Sequence, residues 1–162
     1  MSRPMSFYGC AVLTLSMTLF SASAISQETT ENLISNGSFE NALNEWTITG
    51  ETTVWTEGYE GAAIRLSPTA SSSAQAIQIV SGLLPTTRYT VIAKVKGTNS
   101  LMPPIIGVRN GPQIDKAIGY MAIGEEDLWT EKRFEFFTDE NVTSVEIYLQ
   151  AYQSTLIGEV WI

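Results

Sequence analysis

The 162-residue sequence contains no histidine and a single cysteine, Cys10. These absences exclude catalytic triads with an imidazole base, thiolate–imidazole pairs and metal sites built from several histidines or cysteines. A disulfide within the chain is excluded as well, because it needs two cysteines. Basic residues are also few, with nine against 17 acidic ones and a formal net charge of −8 at pH 7. This balance predicts no binding to nucleic acid and none to an anionic membrane surface.

Motifs for catalysis are missing too. The acidic residues cluster in two turns, Glu125-Glu126-Asp127 and Asp139-Glu140. Two acids that cleave a glycosidic bond must instead face each other across a cleft. The sequence has no nucleophile elbow, no phosphate-binding loop and no zinc motif. We therefore predict that the chain is not an enzyme.

The first 24 residues have the pattern of a secretory signal. Arg3 precedes an apolar run over residues 11–20, and Ala22 and Ala24 have the small-residue spacing of a signal-peptidase site. The run is too short to span a membrane. We expect cleavage after Ala24, loss of Cys10, and a secreted, periplasmic or cell-surface protein. The alternative is that this segment is a buried N-terminal helix.

Beyond the signal, the chain is long enough for one domain with a sizeable core. Residues 25–31 are polar and unpatterned, which predicts a flexible tail. From residue 32 onward, short extended runs recur about every 8–12 residues between turn signals, which is typical of an all-β sandwich or barrel. One run alternates apolar residues at 89, 91, 93 and 95, and another does so at 145, 147, 149 and 151. These residues are predicted to face the core.

The opening of this domain, residues 32–46, combines a tight turn with two large aromatics. The Asn36-Gly37 pair accepts positive φ, and Phe39 and Trp46 can anchor a sheet edge on the core. This stretch resembles the start of carbohydrate-binding modules of families four, nine and twenty-two, which begin N-L-x-x-N-G-x-F-E, then a gap and W. The matching residues are Asn32, Leu33, Asn36, Gly37, Phe39, Glu40 and Trp46.

Two later stretches match the same family. The first is a Q-x-V-x-G-L-x-P-x-x-x-Y-T block that leads into a strand with a lysine and a glycine at its end. It is matched by Gln78, Val80, Gly82, Leu83, Pro85, Tyr89, Thr90, Lys96 and Gly97. The second is Trp129 followed by Phe134 and Phe136. Family members close their last strand with one or two aspartates, whereas here the sequence stops at Val160-Trp161-Ile162. We therefore expect a domain over residues 32–162 whose C-terminal end is truncated or closed differently.

The resemblance implies a jelly-roll β-sandwich of two antiparallel sheets and a non-catalytic domain that binds a polysaccharide or oligosaccharide. We expect a monomer. One alternative is a structural or adhesion sandwich that binds protein or cell envelope. Another is an accessory fragment of a glycoside hydrolase or polysaccharide lyase.

Sugar recognition needs aromatic planes for the C–H faces of the rings and a few polar groups for the hydroxyls. If Ile147 and Leu149 face the core, Tyr148 and Tyr152 point outward about 13 Å apart, with Gln150 between them. Either ring could equally be an ordinary surface tyrosine, and Trp55 could lie in the core if its strand is shifted by one residue. The candidate sugar-binding residues are Tyr148, Tyr152, Gln150, Trp55, Arg109 and Tyr120.

The other large aromatics fall on apolar faces or at the matched landmark positions, and we expect them to be packing residues. They are Phe39, Trp46, Tyr89, Trp129, Phe134 and Phe136.

The resemblance also implies a structural calcium ion at one end of the sandwich. In this sequence Glu40 and the Glu60-Gly61 loop occupy the positions of the family's ligands. Calcium takes six to eight oxygen ligands, and the expected closing aspartate is missing. The alternative is that Glu40 is a solvated turn carboxylate.

Overall fold

The computed structural model describes residues 14–18, 31–97, 102–111, 117–153 and 160–162. Every regular element in these ranges is a β-strand, and none of them contains a helix long and apolar enough to cross a membrane. The all-β prediction is confirmed. The strands form two antiparallel sheets, of six and five strands, that make up a β-sandwich.

The six-stranded sheet holds strands from both ends of the chain. Its members are β1 (Thr14–Thr18), β3 (Thr52–Trp55), β4 (Ala63–Leu66), β6 (Arg88–Gly97), β9 (Glu126–Phe137) and β11 (Val160–Trp161). The five-stranded sheet has the order β2-β5-β10-β7-β8. Its members are β2 (Thr47–Thr49), β5 (Ala74–Ser81), β7 (Ile105–Arg109), β8 (Ala117–Ala122) and β10 (Ser144–Ala151).

The core lies between the inner faces of the two sheets. The apolar residues at positions 89, 91, 93 and 95 of β6 are at most 1% exposed, and those at 145, 147, 149 and 151 of β10 are at most 2% exposed. Burying one such large aliphatic side chain contributes about 1.5–3 kcal/mol. The period of two residues in these strands therefore predicted correctly which side chains form the core.

The opening turn folds as its sequence indicates. Asn36 has a φ of 48°, and its side-chain amide donates to the carbonyl oxygens of Ala42 and Asn44 at 2.9 Å. The rings of Phe39 and Trp46 pack with centroids 5.4 Å apart. These contacts tie the turn to the start of β2, which is one of the two edge strands of the five-stranded sheet.

Gln78 also holds this turn, through hydrogen bonds from its side chain to the backbone of the turn. It is 5% exposed on the inner face of β5, its Nε2 donates to the carbonyl oxygen of Ser35 at 2.7 Å, and its Oε1 accepts from the Ser35 amide at 3.0 Å. The glutamine of the matched block is therefore a structural residue here.

Trp129 is not a core residue, and the expectation that it packs inside was wrong. Phe134 and Phe136 lie opposite Val91 and Tyr89 on the inner face, whereas Trp129 is an odd number of positions away on the same strand. Residues an odd number of positions apart point to opposite faces. Trp129 lies on the outer face, where its ring meets Tyr59 edge to face at 6.3 Å.

Part of the predicted signal forms a strand. Thr14–Thr18 pairs with β6, and the Leu15 side chain is fully buried. This part of the segment is therefore extended and not helical. The predicted cleavage position after Ala24, and residues 25–30 of the predicted tail, lie outside the described residues.

Candidate functional site

A row of residues in register crosses the outer face of the five-stranded sheet. Tyr148 of β10 lies between Ile77 of β5 and Gly107 of β7. Beyond them, Thr47 of β2 is paired with Ile77, and Tyr120 of β8 is paired with Gly107. Since the neighbours of Tyr148 along β10 point into the core, this row points outward. The face therefore brings together residues from strands far apart in sequence.

Tyr148 is on this face but is not exposed, which corrects the expectation of an accessible ring. It is 1% exposed, and a Cβ built on Gly107 would come within 2.3 Å of its Cζ. The ring therefore lies flat over a glycine that leaves room for it. The guanidinium of Arg109 stands 5.0 Å from the ring centroid. Burial raises the pKa of Tyr148, and the nearby Tyr152 contributes in the same direction.

Arg109 and Glu146 form the ion pair of this face. They lie opposite each other on β7 and β10, and Nε of Arg109 donates to Oε2 of Glu146 at 2.7 Å. Their side chains are only 5% and 17% exposed. A charge-assisted hydrogen bond at this burial holds both groups firmly and cancels their charges.

Gln150 and Gln75 provide amides next to the row. They are register partners on β10 and β5, and Nε2 of Gln75 donates to Oε1 of Gln150 at 3.3 Å. Gln150 is only 7% exposed, which corrects the expectation of an accessible side chain, whereas Gln75 is half-buried. The Gln75 amide has further donor and acceptor capacity, which suits hydroxyl groups. Tyr152 follows the end of β10 and is half-buried, while Tyr120 is 63% exposed. Tyr120 and Tyr152 are thus the accessible aromatics of this face, and Tyr148 is its buried floor.

A cleft opens at the β2–β5 side of the same face. Its volume is about 370 Å³, and Ile79 in its wall is 68% exposed. Sequence reasoning missed this part of the surface. The signal was present, because the alternation of β5 turns Gln75, Ile77 and Ile79 outward, and an apolar residue on a solvent-facing side is informative. The cleft is lined by Ser35, Glu45, Thr47, Ile77, Gln78, Ile79 and Glu146.

Trp55 is not part of this cluster. It lies on the outer face of the six-stranded sheet, because Val54 beside it pairs with the fully buried Ile64. The guanidinium of Arg65 covers the indole at 5.0 Å from its centroid. Of the two orientations that the sequence left open for Trp55, the structure has the outward one, but it does not bring Trp55 together with the tyrosines.

Glu40 lies against the loop that the resemblance associates with calcium. Its Oε1 accepts the amide of Ala62 at 3.2 Å, and a Cβ on Gly61 would lie 2.2 Å from the same oxygen. A carboxylate is an oxygen donor that calcium takes, and Oε1 of Glu40 is engaged by a backbone amide in this structure. Within the described ranges, however, no three or more Asp, Glu, His or Cys residues form a metal-binding group. The calcium ligand role of Glu40 stays a prediction.

The family model described as a carbohydrate binding domain matches residues 31–155. This range includes all strands of the five-stranded sheet and the whole row of residues that crosses its outer face. A comparison with curated protein sequences finds no match.

Solved structures with a similar fold include a family 16 carbohydrate binding module, with a TM-score of 0.64 and 23% identity over 80% of this chain and 95% of that one. A family 61 module in complex with β-1,4-galactotriose has a TM-score of 0.54 and 14% identity, over 82% and 94% of the two chains. The enzymatically active domain of tailspike protein 4 from bacteriophage CBA120 has a TM-score of 0.63 and 18% identity over 80% of this chain. The match spans only 20% of that tailspike chain. Identities this low indicate a common fold and no more.

Proposed function

The chain belongs to the carbohydrate-binding domain family, and we propose that the outer face of its five-stranded sheet binds a polysaccharide or oligosaccharide. The observation that carries this proposal is the row on which Tyr120 and Tyr148 lie beside the Gln75–Gln150 amide pair. Aromatic planes with a few well-placed polar groups are what a sugar site requires. Tyr120 and Tyr152 stack on sugar rings, and the Gln75 amide, which the buried Gln150 holds in place, binds hydroxyl groups.

The site is suited to an uncharged sugar. The Arg109–Glu146 ion pair of this face cancels its own charge, since Arg109 donates to Glu146. Tyr148 is fixed between Gly107 and Arg109, so the floor of the site is rigid before a ligand arrives. A rigid floor lowers the entropy cost of binding.

We propose binding without catalysis. Hydrolysis of a glycosidic bond needs a carboxyl group that transfers a proton to the leaving oxygen. Two carboxylates line the cleft. Glu146 is engaged by Arg109 at 2.7 Å, and Glu45 is exposed to solvent.

We also propose export followed by cleavage after Ala24, and a monomeric state. The intact mass of the exported protein should correspond to a chain that begins at Ile25.

The calcium site is a further element of the proposal, with Glu40 and the Glu60-Gly61 loop as ligands. A bound calcium would hold the opening turn against this loop. Since only the folded state would offer the site, calcium should raise the melting temperature relative to chelator. Glu40→Gln keeps an acceptor for the Ala62 amide but removes the charge, and it should abolish that rise. An identical melt with calcium and with chelator would remove the ion from this account.

The test of sugar binding uses affinity gels that contain β-glucan, xylan or mannan. Tyr120→Ala and Tyr152→Ala should each cost about 1–2 kcal/mol of binding free energy, which is roughly a 5- to 30-fold loss of affinity. Retardation in the gel should weaken accordingly. Phe137→Ala is the matched control, because Phe137 is 62% exposed on the outer face of the other sheet, against 63% for Tyr120. Equal retardation of the parent and of a variant that combines Tyr120→Ala with Tyr152→Ala would place the site elsewhere. A parent that no polysaccharide retards would favour an adhesion domain.

A further inference from the structure

The cleft at the β2–β5 side of the five-stranded face differs in chemistry from the tyrosines beside it. Among the described residues that line it, two are isoleucines, two are glutamates and none is aromatic. Ile79 in its wall is 68% exposed. The C–H face of a sugar ring packs on an aromatic plane, which a branched aliphatic side chain does not offer. The cleft is therefore suited to a small apolar group and not to a stacked sugar ring.

A carboxylate stands directly beside the exposed isoleucine. Glu146 on β10 is the register partner of Ile79 on β5, and the side chains of register partners are close neighbours on one face. Arg109 donates to Oε2 of Glu146, and a carboxylate can accept several hydrogen bonds. The side chain of Glu146 is 17% exposed and lines the cleft, so a ligand can reach it. The cleft thus offers a hydrogen-bond acceptor next to an apolar surface.

Hydroxyl groups supply donors to the same cleft. The side-chain nitrogen of Gln78 already donates to the carbonyl oxygens of Ser35 and Glu45, at 2.7 and 3.3 Å. Ser35 and Thr47 are exposed, and their hydroxyl groups can donate to a carbonyl oxygen of a ligand. The cleft therefore matches a ligand group that combines a methyl, an N–H and a carbonyl oxygen.

The cleft and the exposed tyrosine are close enough for one short oligosaccharide to occupy both. Ile77 belongs to the row that crosses the face, and Ile79 follows it by two positions on β5. Tyr120 lies at the other end of the row on β8. β5 and β8 are three strand spacings apart, which is about 14 Å. A chain of a few sugar rings covers this distance.

We propose that the polysaccharide or oligosaccharide bound at this face carries acetamido groups, one of which fills the cleft. This inference rests on the proposed sugar binding and adds the class of sugar. The acetamido methyl packs on Ile79, the N–H donates to Glu146, and the carbonyl oxygen accepts from the hydroxyl of Thr47. An ammonium group in the same place would satisfy the carboxylate but leave the isoleucine uncovered.

The test compares three β-1,4-linked tetrasaccharides by calorimetric titration of the full chain. Tetra-N-acetylchitotetraose, its deacetylated form and cellotetraose differ only in the acetamido, amino or hydroxyl group at C2 of each ring. The acetylated sugar should bind at least about tenfold more tightly than either of the others, because it buries a methyl group and gains a hydrogen bond. Equal affinities for the acetylated sugar and cellotetraose would overturn the inference. Tighter binding of the deacetylated form would overturn it as well, since the cleft would then select charge.

A variant of the cleft wall tests where the acetamido group lies. Ile79→Ser should reduce the preference for the acetylated sugar over cellotetraose to less than about threefold. Leu128→Ser is the matched control, because Leu128 is 79% exposed on β9 of the other sheet, and it should keep the preference of the parent. In NMR spectra of the complex, nuclear Overhauser effects should connect the acetyl methyl protons with the Ile79 side chain. A preference that Ile79→Ser leaves intact would contradict the assignment to this cleft.

Failure of the acetamido site and failure of the proposed function give different results. If Tyr120→Ala weakens the binding of both sugars and the parent shows no preference between them, the acetamido site is overturned and the sugar-binding face stands. If none of the three tetrasaccharides binds, the acetamido site is overturned as well. Retardation in the polysaccharide gels then decides separately whether the face binds another sugar.

Discussion

The outer faces of the two sheets are built from different chemistry. The five-stranded face has tyrosines, a glutamine pair and one ion pair whose side chains are 5% and 17% exposed. On the six-stranded face Lys94 and Arg133 both bind Glu131, and Arg88 binds Glu135, with side-chain exposures between 25% and 70%. Inward and outward residues alternate in both sheets. One outer face has a well-buried ion pair, whereas the other carries exposed charged side chains.

The difference bears directly on which face can bind a ligand. Ordering long charged side chains costs conformational entropy, and exposed ion pairs contribute little, so the six-stranded face gains little by ordering on a sugar. Two of its aromatics are also engaged, since Arg65 covers Trp55 and the Nζ of Lys94 stands 4.8 Å from the centroid of Tyr59. On the five-stranded face the polar groups are already fixed.

The largest difference is expected for tyrosine removal. Tyr148→Ala should lower the free energy of unfolding by about 3–5 kcal/mol, because it deletes a ring that is 1% exposed. Phe137→Ala on the other face should stay within about 0.5 kcal/mol. Chemical denaturation of both variants measures the two values. A Tyr148→Ala variant as stable as Phe137→Ala would mean that the ring is not part of a packed floor.

The next largest difference in stability between the two faces is expected when one partner of an ion pair is removed. Glu146→Gln should destabilise the fold by about 3 kcal/mol, because it leaves the charge of Arg109 buried and uncompensated. Glu135→Gln, whose side chain is 52% exposed, should cost at most about 1 kcal/mol. Equal costs for the two substitutions, measured by urea denaturation, would contradict the contrast in burial.

A smaller effect is expected from the glycine under the tyrosine. Gly107→Ala should cost about 1–3 kcal/mol and weaken sugar binding, because its methyl group would push the Tyr148 ring out of place. Gly124→Ala is the control, since a Cβ there meets no atom within 4 Å. Melting curves and affinity gels of both variants decide the matter. If Gly107→Ala behaves like Gly124→Ala, the ring does not depend on the glycine.

Features that depend on contacts within one strand could be predicted from the sequence, whereas features that depend on contacts between distant strands could not. Alternation within β10 identified Ile147 and Leu149 as core residues and turned Tyr148 outward. The burial of Tyr148 depends on Gly107, which is 41 positions earlier in sequence, and no local pattern sets the register between two such strands.

The two aromatics of the six-stranded face show different limits. Trp129 could have been placed correctly from its odd spacing to Phe134, but its matched landmark position favoured the core. For Trp55, the alternation of its strand allowed an outward orientation. Which of the two outer faces it lies on depends on sheet topology, which no local pattern sets. The role of Thr14–Thr18 could not be anticipated either, because an apolar run followed by small residues predicts a signal whatever it pairs with.

The smallest expected effect is a pH dependence of the six-stranded sheet. A hydrogen bond from Lys132 holds the pKa of Glu126 below its ordinary 4.5, and one from Lys94 does the same for Glu131. The stability these groups contribute is present above pH 4.5 and is lost as the pH falls through their lower folded-state pKa values. Glu131→Gln should therefore flatten the fall in melting temperature on acidification. An unchanged slope would show that these exposed pairs contribute nothing.

The central claim is that sugar binds the five-stranded face and not the six-stranded one. Backbone NMR spectra recorded during titration with an oligosaccharide of whichever polysaccharide retards the protein test it most directly. We predict that the shift changes concentrate in β5, β7, β8 and β10, around Gln75, Gly107, Tyr120 and Gln150. Shift changes concentrated in β3, β4 and β9, around Trp55, Arg65 and Trp129, would contradict the account.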